Sequence, residues 1–497
     1  MDSAVIVSVH DLRNNTERSV EAAAEPADLA ARAVKGALGS LPASVAGLVD
    51  ALSVVSVVSW GYDDLPGEIA GRVGIEPRLS EHTDVGGNRP VELLDRAAAR
   101  VTRGQTTCEV ICGAESARSV HVLAKAGVTP PWTMAPGGRA RIGKAKAGTE
   151  RMWKHGVVSP PRVYPLYENR LRHDLGQTFA EAHRWSAEMY ADFSAVAARN
   201  AAAWDYERTR TVDEISDIGP SNRMISWPYP LLMNAMPTVD QAAAVVVMKA
   251  TKARDLGIDD SSVVHIWGGA GSADSSDVLD RSSYGRAPAL EAVLDTVLDR
   301  AGLTPDDIDA WDLYSCFPIV PKIASLHLGL GREVRLTQTG GLTAFGGPAN
   351  NYSMHAIAAT AQSVRRGGHF GLVYGNGEYL TKHHAVVLGA QAHPDGYCGM
   401  EEPVTPYRAT APTFADVGSG VVTVETFTTE FDREGTPDSG LVIVRDADGR
   451  RLVASSSDAA TLAWLTDPDV EPIGRRGRIE PTGEGTNTFT MAKEGDL

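Results

Sequence analysis

TGGLTAFGGPANNYSMHAIAATAQSVRRGGHFGLVYGNG, from Thr339 to Gly377, is the stretch that decides the fold class. A Gly-rich loop opens a helix, the helix closes on two arginines and two glycines, and a short apolar strand runs into a second Gly-rich turn. DVGGNRPVELLDRAAARVTRGQTTCEVICG, from Asp84 to Gly113, follows the same plan. Val101 to Gly104 and Val364 to Gly367 lie about 263 residues apart, and LPASVAGLVDALSVV from Leu41 stands at nearly that offset from LTPDDIDAWDLYSCF at Leu303. Ordered matches at one offset point to internal duplication, which outranks any local reading.

Working outward, each half reads as helices feeding short buried strands, an α/β signature. Ala4 to Val9, the centre of Val45 to Trp60, Cys108 to Ala114, Val239 to Lys249, Ser261 to Gly269, Ala310 to Phe317, Phe370 to Tyr374 and His384 to Gly389 are the expected strands. They are β-branched or small-residue runs suited to a sheet covered on both faces. Pro90 and Pro288 fit the first turn of their helices, where a missing N–H costs nothing. Ala117 to Ser221 breaks the plan and reads as an inserted, mostly helical lobe. NRMISWPYP, from Asn222, reads as a packed loop. Beyond the Pro- and Gly-rich stretch at Ala392, VVTVETFTTEF and LVIVRDADGRRLVAS read as strands, with DADG at Asp446 as a hairpin turn. The expected organisation is residues 1–116 with 222–255, an inserted lobe at 117–221, a second half at 256–392, and a small mainly β domain at 404–497.

The chain has 497 residues, 43% hydrophobic and 22% charged, with a formal net charge of −16. That describes a multidomain globular protein and opposes non-specific nucleic-acid binding. Arg139, Arg141, Lys144, Lys146 and Arg151 form a basic island in the lobe, suited to nucleotide phosphates. The four cysteines, Cys108, Cys112, Cys316 and Cys398, make neither a metal-ligand pattern nor a disulfide scaffold. His383 and His384 adjoin on a strand, so they face opposite ways and cannot share an ion. The N-terminal sequence shows neither leader nor membrane span. A cytoplasmic protein needing no cofactor is expected, and the Ala-rich, Arg-favouring helices fit a high-GC bacterium.

The duplication, the inserted lobe and the motifs VDQAAAVVV, YSCFP at Tyr314, TGGLTAFGGP at Thr339 and GLVYGNGEYLTKHHAVVLG at Gly371 together resemble the thiolase superfamily, nearest the sterol-carrier-protein-type thiolases. The resemblance covers roughly residues 1–391. It implies a duplicated five-layered α-β-α-β-α fold with a helical loop domain, here carrying an extra C-terminal domain. It also implies a nucleophilic cysteine opening a first-half helix, but Gly87 stands in that position. The histidine of the family's Gly-His-Pro turn falls on Gly347, in Gly346-Gly347-Pro348. A second family cysteine falls near Val373 or Tyr374. Claisen exchange needs the nucleophile and an oriented base, so the expectation is a protein without acetyl-CoA acetyltransferase activity.

The resemblance still implies a ligand, CoA or a lipid acyl-CoA. Helix N-termini at Gly87–Pro90 and Gly347–Asn351 offer free N–H groups to an anion or thioester oxygen. Gly87, Asn88, Gly346, Gly347 and Asn376, with Arg139, Arg141, Lys144 and Lys146, are the candidate binding residues. Family relatives that lack the cysteine and cleave side chains by a retro-aldol step use tyrosines near these loops. Tyr314 matches one, while the second falls on Ala344 or Phe345. Tyr314, Tyr352 and His355 are therefore the catalytic candidates if the chain is an enzyme, as a carbon–carbon lyase on a CoA thioester. A non-catalytic subunit of a lipid-metabolism complex is the third possibility. The appended domain lacks cysteine, so it holds no four-cysteine zinc site. It leaves both a monomer and a homodimer open, with a protein partner possible.

Overall fold

The computed structural model describes residues 3–14, 17, 19–133, 147–399, 402–406 and 410–492. The first half runs β1 (Ala4–Arg13), α1 (Pro26–Gly39), β2 (Val49–Val54), α2 (Leu65–Val73), β3 (Leu79–His82), α3 (Arg89–Thr102) and β4 (Cys108–Ser116). The lobe then contributes α4 (Ala117–Lys125), α5 (Glu150–Lys154), α6 (Pro160–Asp174), α7 (Phe179–Ala197) and α8 (Val212–Ser216). Two short strands, β5 (Met224–Ser226) and β6 (Tyr229–Pro230), precede β7 (Asp240–Lys249) and α9 (Ala250–Asp255). The second half is β8 (Val264–Ala273), α10 (Pro288–Ala301), β9 (Ala310–Leu313), α11 (Ile319–His327), α12 (Tyr352–Arg365), β10 (Phe370–Gly377) and β11 (Lys382–Gly389).

The duplication is visible in the strand order. The two halves meet where β1 pairs with β8 through Val5–His265 and Ile6–Val264. Outward from that seam the order is β1-β7-β4-β2-β3 on one side and β8-β11-β10-β9 on the other. The directions match as well: two antiparallel pairings, then parallel ones. Only the counterpart of β3 is missing, and the segment 328–338 takes its place in the chain.

The middle layer is α3 and α12, which touch each other and strands of both halves. Their sequences explain this burial. In α12, Ala356, Ile357, Ala358 and Ala361 are buried, so the helix is apolar nearly all round. In α3, Leu93, Leu94, Ala97, Ala98 and Val101 are buried, and even Asp95 is enclosed, bonded to His384 and Tyr397. α1 covers the first half-sheet from outside and α10 the second, completing five layers.

The C-terminal strands β12 (Gly420–Phe431), β13 (Pro437–Arg445), β14 (Arg451–Ser456), β15 (Arg476–Pro481) and β16 (Asn487–Met491) are joined by α13 (Ala459–Leu465) between β14 and β15. β12 pairs with both β13 and β15, and β14 lies parallel to β16, so the sheet closes as 12-13-14-16-15. This is a small five-stranded barrel of OB type. The Asp446 turn joins β13 to β14 as expected. NRMISWPYP is not merely a packed loop: β5 and β6 extend the barrel sheet through Ser226–Glu430.

Glu115, at the end of β4, is buried while accepting N–H groups from Val58 (2.7 Å) and Ser59 (2.9 Å). Burial raises its pKa to about 7 against the opposing pull of these bonds. Between its unfolded value of about 4.5 and about 7 the native state therefore holds a proton that the unfolded chain has lost. The contribution of Glu115 to stability falls as pH rises through that window and is level above it. Urea midpoints of wild type and Glu115→Gln at pH 5 and pH 8 test this. The variant gains relative to wild type at pH 8, and an identical difference at both pH values would refute the assignment.

Candidate functional site

The Gly-rich loop before α12 is fixed from below by Asp312 of β9. Its buried carboxylate accepts from Thr337 Oγ1 (3.0 Å), Thr339 Oγ1 (2.7 Å), and the N–H groups of Gln338 (2.8 Å) and Thr339 (2.9 Å). Gly340 and Gly341 then adopt φ of 120° and 75°, and a Cβ on Gly340 would lie 2.6 Å from the Cα of Ala197. The next residues lash this loop to the first half. Asn350 accepts from Gly86 N–H (2.9 Å) and donates to Ser56 O (2.8 Å); Asn351 donates to Gly113 O (2.9 Å); Ser353 Oγ donates to Gly87 O (2.6 Å). The starts of α3 and α12 are thereby held together.

Gly87 is the decisive position. A Cβ placed there would lie 2.5 Å from the carbonyl oxygen of Asn376 and 2.6 Å from the Tyr314 hydroxyl. The space that a side chain at 87 would need is filled. Gly347 differs, because its nearest atom to an added Cβ is Ala235 Cβ at 3.3 Å. Its N–H donates to Met236 O (2.8 Å).

The three catalytic candidates are not brought to one point. Tyr314 is buried, packs edge-on against Tyr352 with ring centres 5.6 Å apart, and its hydroxyl has no hydrogen-bond partner among the described residues. Tyr352 is structural: its hydroxyl accepts the Gly341 N–H at 3.1 Å. His355 turns elsewhere, with Nδ1 3.3 Å from Asp11 and its ring 4.9 Å from that of Phe345. Burial pushes both tyrosines well above their ordinary pKa, so they are neutral donors.

Asn376 donates to Tyr164 Oη (2.9 Å), and its Oδ1 is buried with no partner among the described residues. Asn88 Oδ1 is likewise buried and unpartnered. Gly375 and Gly377 let β10 pass this close, since a Cβ at 375 would sit 2.9 Å from Asn88 Cα. The Cys316 thiol lies 3.9 Å from Asn376 Nδ2, and burial pushes its pKa up to about 12. It is therefore a poor nucleophile. The arrangement supplies hydrogen-bond donors and acceptors rather than a covalent catalyst.

Arg139, Arg141, Lys144 and Lys146 lie outside the described residues. Arg151 is not a free cation: it binds Asp277 (2.8 Å) and also pairs with Asp280. His383 bonds Tyr374 (2.7 Å) while His384 bonds Asp95 (3.0 Å), on opposite faces of β11. Among the described residues no group of three or more His, Cys, Asp or Glu is placed to hold a metal ion, and no helix is long and apolar enough to cross a membrane.

Comparison with known proteins agrees with this architecture. Residues 402–484 match the model of the thiolase-like protein type 1 additional C-terminal domain. The crystal structure of a monomeric SCP2-thiolase like protein type 1 (STLP1) from Mycobacterium smegmatis superposes with a TM-score of 0.81, at 28% identity, over 99% of both chains. The Ltp2-ChsH2(DUF35) aldolase shares the fold, with a TM-score of 0.60 at 21% identity over 78% of this chain and 97% of that one. An acetyl-CoA acetyltransferase of Yarrowia lipolytica is 30% identical over 139 residues, 28% of this chain and 32% of that protein. A 3-ketoacyl-CoA thiolase of Erwinia tasmaniensis is 30% identical over 158 residues, 28% of this chain and 34% of that protein. The chain thus spans about a third of the length of the curated relatives it matches. With duplicated halves, an inserted lobe and a C-terminal barrel in place, the chain belongs to the thiolase superfamily, as an SCP2-thiolase-like protein of the STLP1 type that carries an additional C-terminal domain.

Proposed function

We propose that this protein binds CoA or a lipid acyl-CoA and does not carry out conventional thiolase exchange. The observation that carries the reading is the filled space at Gly87, where Tyr314 and the Asn376 carbonyl occupy the volume of a would-be nucleophile. A cluster of neutral tyrosines, a thiol of high pKa and two amide oxygens unpaired among the described residues favours hydrogen bonding to a polar ligand over attacking it. The relatives that match its sequence act on CoA thioesters by name, which supports the ligand class.

One observation favours a second reading. The unpaired Tyr314 hydroxyl is a donor in waiting, and a retro-aldol cleavage of a CoA thioester would use one. Calorimetric titration with CoA, acetyl-CoA and a long-chain or steroid acyl-CoA, with products followed by mass spectrometry, separates the two. Binding with the ligand recovered intact is the expected result. Turnover that Tyr314→Phe abolishes while binding persists would establish the lyase instead. Absence of binding to every thioester would overturn both.

A further inference from the structure

A second cavity lies on other elements. The end of β1, the turn after α7, the segment before the Gly-rich loop and the last turns of α12 enclose a cleft of about 790 Å³. Arg13, Arg199, Arg335 and Arg366 line it, with Gln338 and Gln362 between them. Four guanidinium groups converge here in a chain whose formal net charge is −16.

Arg72, Arg89, Arg100, Arg151 and Arg451 are each held by carboxylates. Arg199, Arg335 and Arg366 are exposed and have no ion-pair partner among the described residues. Arg13 is fixed in position, donating to Ala203 O (3.0 Å) and lying over the Tyr206 ring at 5.2 Å. The carboxylate of Asp11 also lines the cleft, but it is engaged by His355 at 3.3 Å. Like charges gathered around a concave, low-dielectric space repel one another unless an anion enters. Guanidinium groups are the side chains best matched to phosphate oxygens, which they grip through paired N–H bonds. The volume is that of a small-molecule site, and the chain's net charge of −16 disfavours a long polyanion.

We propose that this cleft binds a small molecule carrying two or more phosphate groups, at a site distinct from the loops at Gly87 and Gly347. The inference does not depend on thioester binding, because it rests on the arginines of this cleft; adenosine 3′,5′-bisphosphate is also the nucleotide end of CoA, so the arginine variants decide where it binds. Pyrophosphate, ATP and adenosine 3′,5′-bisphosphate are titrated calorimetrically into the full-length protein at low salt. Then Arg335→Ala, Arg366→Ala and the double variant are compared. These side chains are exposed and unpaired, so the fold should persist, as circular dichroism will verify. At least one probe binds, each single variant weakens it roughly tenfold, and added salt weakens it further. Preference for pyrophosphate over both nucleotides would assign the site to linked phosphates alone; preference for a nucleotide would add a base or sugar contact. If no probe binds, or if the double variant binds as wild type does, the proposal fails. Loss of polyphosphate binding in the double variant with thioester binding intact would separate the two sites.

Discussion

Replacing Arg451 with methionine will cost about 3–5 kcal/mol of stability and loosen the barrel from the rest of the chain. The side chain is fully buried, at 0% exposure. Its Nε and Nη2 donate to both oxygens of Glu425 on β12, at 2.9 and 2.5 Å. Its Nη1 reaches outside the barrel to the carbonyl oxygens of Leu279 (2.6 Å) and Arg281 (2.5 Å), in the second half. The guanidinium also lies over Tyr284, 5.0 Å from the ring centre. Methionine fills much of the volume but leaves a buried carboxylate and two buried carbonyls short of donors, which is the expensive way to break an ion pair.

Arg445 still holds Glu425 through two bonds at 2.7 and 2.8 Å, which keeps the loss at the lower end of the range. Adding Glu425→Gln to Arg451→Met should recover only a small part of the cost, because the buried carboxylate is still paired with Arg445, which then loses its charged partner. Urea unfolding and limited proteolysis between the core and the barrel measure the two effects. A midpoint unchanged by Arg451→Met, or a double variant worse than the sum of the singles, would show that this joint is not held as described.

That joint also marks what could and could not be seen in the sequence. The duplication was legible because it lies in repeated local patterns: Gly-rich loop, small-residue helix, apolar strand. The barrel strands were legible by their alternation and by the Asp446 turn. The membership of Met224–Ser226 and Tyr229–Pro230 in the same sheet was not. These strands have three and two residues and include a proline, and their partner Glu430 is far along the chain. The resemblance puts Gly87 where the family carries its nucleophile, yet nothing in the order of residues says that Tyr314 enters the space beside it. The arginine cleft was hidden for the same reason, since its four arginines come one each from four separated stretches. Sequence drew attention instead to the contiguous basic run at 139–146. Contacts between distant segments depend on how layers stack, and local periodicity carries no record of that.

Gly87→Cys, the substitution that would put a thiol at the position the resemblance assigns to the family's nucleophile, will destabilise the protein by about 1–3 kcal/mol and will not confer acyl exchange. The new Cβ would fall 2.5 Å from the Asn376 carbonyl oxygen. That oxygen cannot retreat easily, because β10 is paired with β11 through Asn376–His383 and flanks α3. Tyr314 obstructs it too, with its hydroxyl at 2.6 Å and Cε2 at 2.8 Å. Adding Tyr314→Ala removes the ring but not the carbonyl, so the strain is relieved only in part. Gly347→His is the milder change, since its first contact is a methyl group at 3.3 Å. Urea midpoints of the two single variants should therefore rank Gly347→His above Gly87→Cys. Mass spectrometry of the Gly87→Cys/Gly347→His protein after incubation with acetyl-CoA should find no acetylated thiol. A stable Gly87→Cys variant that becomes acetylated would mean the space at 87 is available, and the argument against covalent chemistry would fall with it. The expected result places the obstacle in the packing of Tyr314 and β10 against the start of α3, so that restoring two side chains cannot restore the reaction.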